Sequence, residues 1–177
     1  MDLGPVDRIT ADAIGEPGMR TFYIQARTGT DLITVIVEKQ QVQLLATSVL
    51  ELLADVDRET GPGPGDDELE LEPPIDPRWR AGRLSIGYDE ERDRFLLEVT
   101  EYVPELEEIE EDDPRSLLES EAETIRLWAT REQMLALSRH GAEVAERGRP
   151  TCQLCGNPMD PEGHACPATN GHRTPRA

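Results

Sequence analysis

Two segments of this chain, ITVIVEKQQVQLLA from Ile33 and IRLWATREQMLALS from Ile125, run in parallel at a fixed offset of 92 residues. Ile33 matches Ile125, Val35 matches Leu127, Lys39 matches Arg131, Gln41 matches Gln133 and Leu45 matches Leu137. In both, apolar residues first alternate and then recur at helical spacing, so a strand runs directly into a helix. Each helix and each sheet face must bury its apolar side against a shared core. The repetition points to a duplicated β-β-β-α unit, two copies of which form one antiparallel or mixed sheet with two helices on one face: an α+β fold.

The flanking sequence fills in the unit. Phe22, Ile24 and Ala26 alternate in RTFYIQARTG, Ile33, Val35 and Val37 in DLITVIVEK, and Gly29 supplies the turn between them. A helix follows from about Lys39, with Val42, Leu45, Ala46, Val49, Leu53 and Val56 as its apolar stripe. In the second copy, Leu84, Ile86 and Tyr88 alternate, then Phe95, Leu97 and Val99. Thr130 is placed to cap the second helix, with Gln133 at the reciprocal capping-box position. DRITADAIG and GRLSIG supply the first strand of each copy. The expected domain covers 1–149, with one repeat at about 6–56, an acidic linker at 57–77 and the second repeat at about 79–148. A second acidic stretch, 104–121, reads as a solvated insertion with a short helix at 116–121.

Charge narrows the function classes. There are 37 acidic residues against 18 basic, a formal charge of -19, so most of the surface repels nucleic acid and anionic lipid. The opening MDLGPVDRIT has neither the basic start nor the apolar run of a signal peptide, and no window reaches the roughly 18 apolar residues of a membrane helix. The expectation is a cytoplasmic protein with no membrane role. Its three cysteines lie within fifteen residues of one another, which suits metal ligation better than a disulfide framework.

Those cysteines fall in TCQLCGNPMDPEGHACPATNGH, residues 151–172. Cys152 and Cys155 form a C-x-x-C turn followed by Gly156, the pattern of a zinc knuckle. Cys166 follows, but position 169, where a fourth cysteine of a zinc ribbon would stand, is Thr. His164, two residues before Cys166, or alternatively His172, would complete a Cys3His site. Such a site is closed and structural, and one zinc would order a zinc-ribbon-like tail, 150–173, that has no apolar core of its own. Pro158 and Pro161 exclude the helix that a thioredoxin-like pair requires.

The segments IGEPGMRTFYIQAR, VEKQQVQLLA and RPTCQLCGNPMDPEGHACP together resemble the actinobacterial domain-of-unknown-function family 3090. The resemblance implies a small cytosolic protein of unsettled function with a cysteine-rich C-terminal element. It also implies a genomic association with kinase-like and phosphatase-like proteins, and so a regulatory partner. No catalytic residue is carried over.

The residues themselves contain no Walker loop, dinucleotide-binding glycine motif or nucleophile elbow. Glu16, in the Gly-Glu-Pro-Gly turn, reads as an ordinary turn residue, and His140 as a helix-end residue near the negative end of the helix dipole. The resulting expectation is a non-catalytic interaction or regulatory protein whose partner is another protein. The competing expectation is a hydrolase-type enzyme with its cleft between the two repeats.

Overall fold

The computed structural model describes residues 1–56, 58–104, 122–147, 152–157, 159 and 166–169. The chain is α+β. Its strands are β1 (Asp2–Pro5), β2 (Arg8–Ile14), β3 (Thr21–Thr28), β4 (Asp31–Val37), β5 (Pro77–Asp89), β6 (Arg94–Glu101) and β7 (Thr124–Ala129). Helix α1 (Lys39–Val56) follows β4, and α2 (Arg131–Glu146) follows β7. One mixed sheet takes the order β1-β7-β6-β5-β4-β3-β2.

Register explains the core. Ala11, Ile24 and Val35 lie side by side on neighbouring strands, as do Ile9, Ala26 and Ile33. Across the other half, Ile86, Leu97 and Leu127 form one row, and Leu84, Val99 and Ile125 another. Residues directly opposite on paired strands share a face. The alternating apolar residues of all these strands therefore build one continuous apolar surface. The apolar stripes of α1 (Val42, Leu45, Val49) and α2 (Met134, Leu137, Val144) are buried in the same core.

The two ends of the sheet order are consecutive in the chain. Only Val6 and Asp7 separate β1 from β2. The Val6 N–H donates to Trp128 O on β7, and the Asp7 N–H donates to Arg27 O on β3, both at 2.8 Å. One bent segment thus serves both margins and curls the sheet around its apolar face. Ile24, Ile33 and Val35 from one half meet Val99, Ile125 and Leu127 from the other around a void of about 10 Å³.

Helix starts follow the local chemistry. Thr130 Oγ1 accepts from the Gln133 N–H at 3.1 Å, and Gln133 Oε1 accepts from the Thr130 N–H at 2.9 Å. Gln41 Oε1 accepts likewise from the Glu38 N–H at 2.8 Å. The helices cross closely at Gly141, where an added Cβ would stand 3.0 Å from Val42 Cγ1 and 3.3 Å from Ala11 Cβ. Substituting leucine at Gly141 should separate α2 from both α1 and β2. The expected loss is about 1–3 kcal/mol, read as a lower urea midpoint.

The first acidic stretch carries a function that its composition does not announce. The outer face of the sheet holds a buried polar ladder of Thr10, Gln25 and Thr34. Residues 68–72 lie over it as a strap and satisfy it through their backbone. Thr10 Oγ1 donates to Leu69 O, Gln25 Nε2 donates to Glu72 O at 3.0 Å, and Gln25 Oε1 accepts from the Glu72 N–H at 2.8 Å. Arg8 Nε donates to Glu68 O at 2.5 Å, and Leu69 is 2% exposed. The loop is therefore a cover over the ladder rather than a spacer between halves. The second acidic stretch, from residue 105 to 121, and the short helix expected at 116–121 lie outside the described residues.

Candidate metal centre and an acidic cleft

The C-x-x-C turn is built by its own backbone. The Gly156 N–H donates to Cys152 O and the Cys152 N–H to Asn157 O, each at 2.8 Å. Gly156 adopts φ +72°, the left-handed conformation that glycine takes without strain. The Leu154 N–H points at Cys152 Sγ from 3.4 Å. Cys166, fourteen residues on, enters from a separate segment and is followed by a single 3-10 turn, Pro167–Thr169.

All three sulfurs lie within 4.8 Å of one another, and Cys152 Sγ is 3.8 Å from Cys166 Sγ. A zinc ion holding thiolates at about 2.3 Å in a tetrahedron requires sulfurs roughly 3.8 Å apart, so this donor set fits such an ion. Backbone amides, first that of Cys155 and then that of Leu154, hold the Cys152 thiol below its ordinary range. The amide of Asn157 acts on Cys155 in the same direction. Burial and the two neighbouring sulfurs outweigh it and push the Cys155 thiol up. Two nearby thiolates repel, and a cation between them removes that repulsion. His164 and His172 both lie outside the described residues. This is the one group among the described residues whose cysteine, histidine or acidic side chains converge closely enough to hold a metal ion.

His140 stands elsewhere than its sequence reading suggested. It occupies the interior of α2, six residues before the helix ends, and is 6% exposed. Neither ring nitrogen has a hydrogen-bond partner, and its nearest charged neighbour is Asp12 on β2, with Nε2 3.6 Å from Oδ1. The pair lies in a cleft of about 490 Å³ between β2, α2 and the loop around residues 66–75. Asp66, Asp67 and Glu70 line one side, and Ile14, Leu71 and Ile75 supply apolar wall. Arg147 is at the rim and pairs with Glu143 at 2.6 Å. Sequence reading missed this cleft because 128 residues separate Asp12 from His140. Glu16 is not part of it. That residue is exposed, and its carbonyl accepts from the Met19 N–H in an ordinary turn.

Burial pushes the Asp12 carboxyl up, but His140 and the amides of Ala13 and Leu71 outweigh burial and hold it below its ordinary range. The folded pKa is thus below the unfolded value of about 3.9. The stability this supplies is complete above the unfolded value and is lost as pH falls through the folded one. Substituting asparagine at Asp12 should flatten the acid limb of a pH-dependent urea-unfolding series below about pH 4, where the wild-type chain loses stability more steeply.

No helix among the described residues is long and apolar enough to cross a membrane. A family model described as a protein of unknown function, DUF3090, matches residues 1–166. No curated protein and no solved structure matches the chain.

Proposed function

The chain belongs to the DUF3090 family, and from that membership and its thiol cluster we propose that it is a zinc-containing interaction or regulatory protein. Cys152, Cys155 and Cys166 would hold one structural zinc, with His164, or alternatively His172, as fourth donor. The single observation that carries this reading is the convergence of three cysteine sulfurs within 4.8 Å. Three thiolates and an imidazole leave no coordination position for water, which argues against hydrolytic use of the metal. The ion would supply order to residues 150–173, and 1–149 would form the body.

We read that body as a duplicated β-β-β-α unit, and three observations support it. β4 pairs with β5 in parallel, and β1 pairs with β7 in parallel. The partners of Thr34 and Ile36 on β5 are Pro77 and Arg80, while those of Arg126 and Trp128 on β1 are Asp2 and Pro5. Each pairing recurs at the 92-residue offset on one side and a 75-residue offset on the other. Gln41 Nε2 donates to Gly82 O at 3.1 Å, and Gln133 Nε2 donates to Asp7 O at 3.1 Å, which obeys the same two offsets.

A partner protein fits better than an anionic substrate, because acids dominate the cleft between β2 and α2. The decisive experiment measures metal content of the purified chain and repeats affinity capture after chelation. One zinc per chain, with a specific partner lost on chelation, is the expected result. Metal-free protein that still captures the same partner would remove the zinc from the function.

A further inference from the structure

We propose that the cleft between β2 and α2 binds an organic cation, an ammonium group on an apolar stem. The cation would lie against Asp12 and His140, with Asp66, Asp67 and Glu70 along its approach. The proposal draws on no cysteine and is independent of the zinc reading.

The strongest observation is His140. A buried imidazole ordinarily finds a hydrogen-bond partner, because leaving its nitrogens dry and unpaired is costly. Here neither nitrogen has one, and the side chain is at the wall of a cleft. Nε2 is turned toward Asp12, 3.6 Å from Oδ1, so a cation drawn to that carboxylate would come against the imidazole as well.

The duplicated architecture provides a comparison within the molecule. At the 92-residue and 75-residue offsets, Ser48 and Gly87 stand where His140 and Asp12 do. Ser48 lines a groove with Leu44, Leu45 and residues 82–86 that contains no carboxylate, and Gly87 is not among its lining residues. A unit that packs with Ser48 and Gly87 does not need a charged pair there, so the fold alone does not account for Asp12 and His140.

Ligand class follows from the lining. Four carboxylates face the cleft, and its one arginine, Arg147, is already paired. The site therefore attracts cations. The carboxylates do not converge as metal ligands do, and Ile14, Leu71 and Ile75 offer apolar contact that a hydrated metal ion cannot use. A volume of about 490 Å³ lies within the range for small-molecule sites. The same ammonium could belong to a free diamine or to a lysine side chain of a partner.

The test follows the His140 ring resonance in NMR titrations of the full chain, with cadaverine in one arm and acetyl-Gly-Lys-Gly-amide in the other. Saturable movement with either probe, absent at matched sodium chloride, is expected, and the arm that saturates identifies the source. Asp12→Asn should weaken binding about tenfold. Asp67→Asn and Glu70→Gln, at exposed positions that cannot disturb folding, should each weaken it about twofold to fivefold. No saturation by about 10 mM of either probe, movement reproduced by salt, or a response to magnesium alone would overturn the proposal.

Discussion

Replacing Cys152 with serine is expected to reduce bound zinc from one ion per chain to nearly none after dialysis against a weak chelator. Structural zinc sites in small elements hold their ion with apparent free energies of about 10–16 kcal/mol, most of which is the folding energy of the element. Cys152 is the hub of the thiol cluster. Its sulfur accepts the Leu154 N–H and lies 3.8 Å from Cys166 Sγ, while its carbonyl and amide close the turn. Serine keeps the turn but offers a hydroxyl that is not ionised at neutral pH. Affinity should fall by at least about a hundredfold, measured by competition with a chromophoric chelator. Limited proteolysis should then cut within 150–173 while the body survives. Alanine at His164 should reproduce the loss and alanine at His172 should not; the reverse result would identify His172 as the fourth donor. Retention of full zinc by the Cys152 variant would refute the site.

The second large effect is expected from Phe95→Ala, at about 3–5 kcal/mol of lost stability. Phe95 is fully buried on β6, pairs with Ala129 on β7, and packs its ring against Tyr88 on β5, with centroids 5.2 Å apart. Small neighbours such as Ala129 cannot move in to fill the space left, so the cavity persists. Total stabilities of single domains are about 5–15 kcal/mol, so this one truncation removes a large share. Chemical denaturation should show a much lower midpoint with unchanged slope. Phe95→Leu, which retains most of the volume, should cost less than half as much. Equal losses for the two variants would show that the ring contact, rather than the filled volume, is what matters.

Much of the fold is legible from periodicity. β6 and β7 alternate cleanly because one face of each is buried, β3 and β4 keep the apolar alternation of Phe22, Ile24 and Ala26 and of Ile33, Val35 and Val37, and the Thr130 cap is spelled out in side chains. Strand β1 is not legible. Its four residues, Asp-Leu-Gly-Pro, show no alternation and owe their extended form to pairing with β7. The strap over Thr10 and Gln25 is also invisible in sequence, because it acts through main-chain carbonyls and one amide that any residues there would supply. For the thiol cluster, spacing pointed to the three cysteines that the structure brings together, since a C-x-x-C turn is a local device. The Asp12 and His140 pair could not be read the same way, because chain topology alone brings β2 against α2.

The pairing of β1 with β7 has a consequence for biosynthesis. During synthesis residues 2–5 emerge well before their partner strand, which ends at Ala129. Strand β1 must wait until Ala129 has emerged, and the corner at Val6 and Asp7 cannot form earlier. Truncated products ending before β7 would therefore leave an unsealed sheet margin and become substrates for chaperones and proteases.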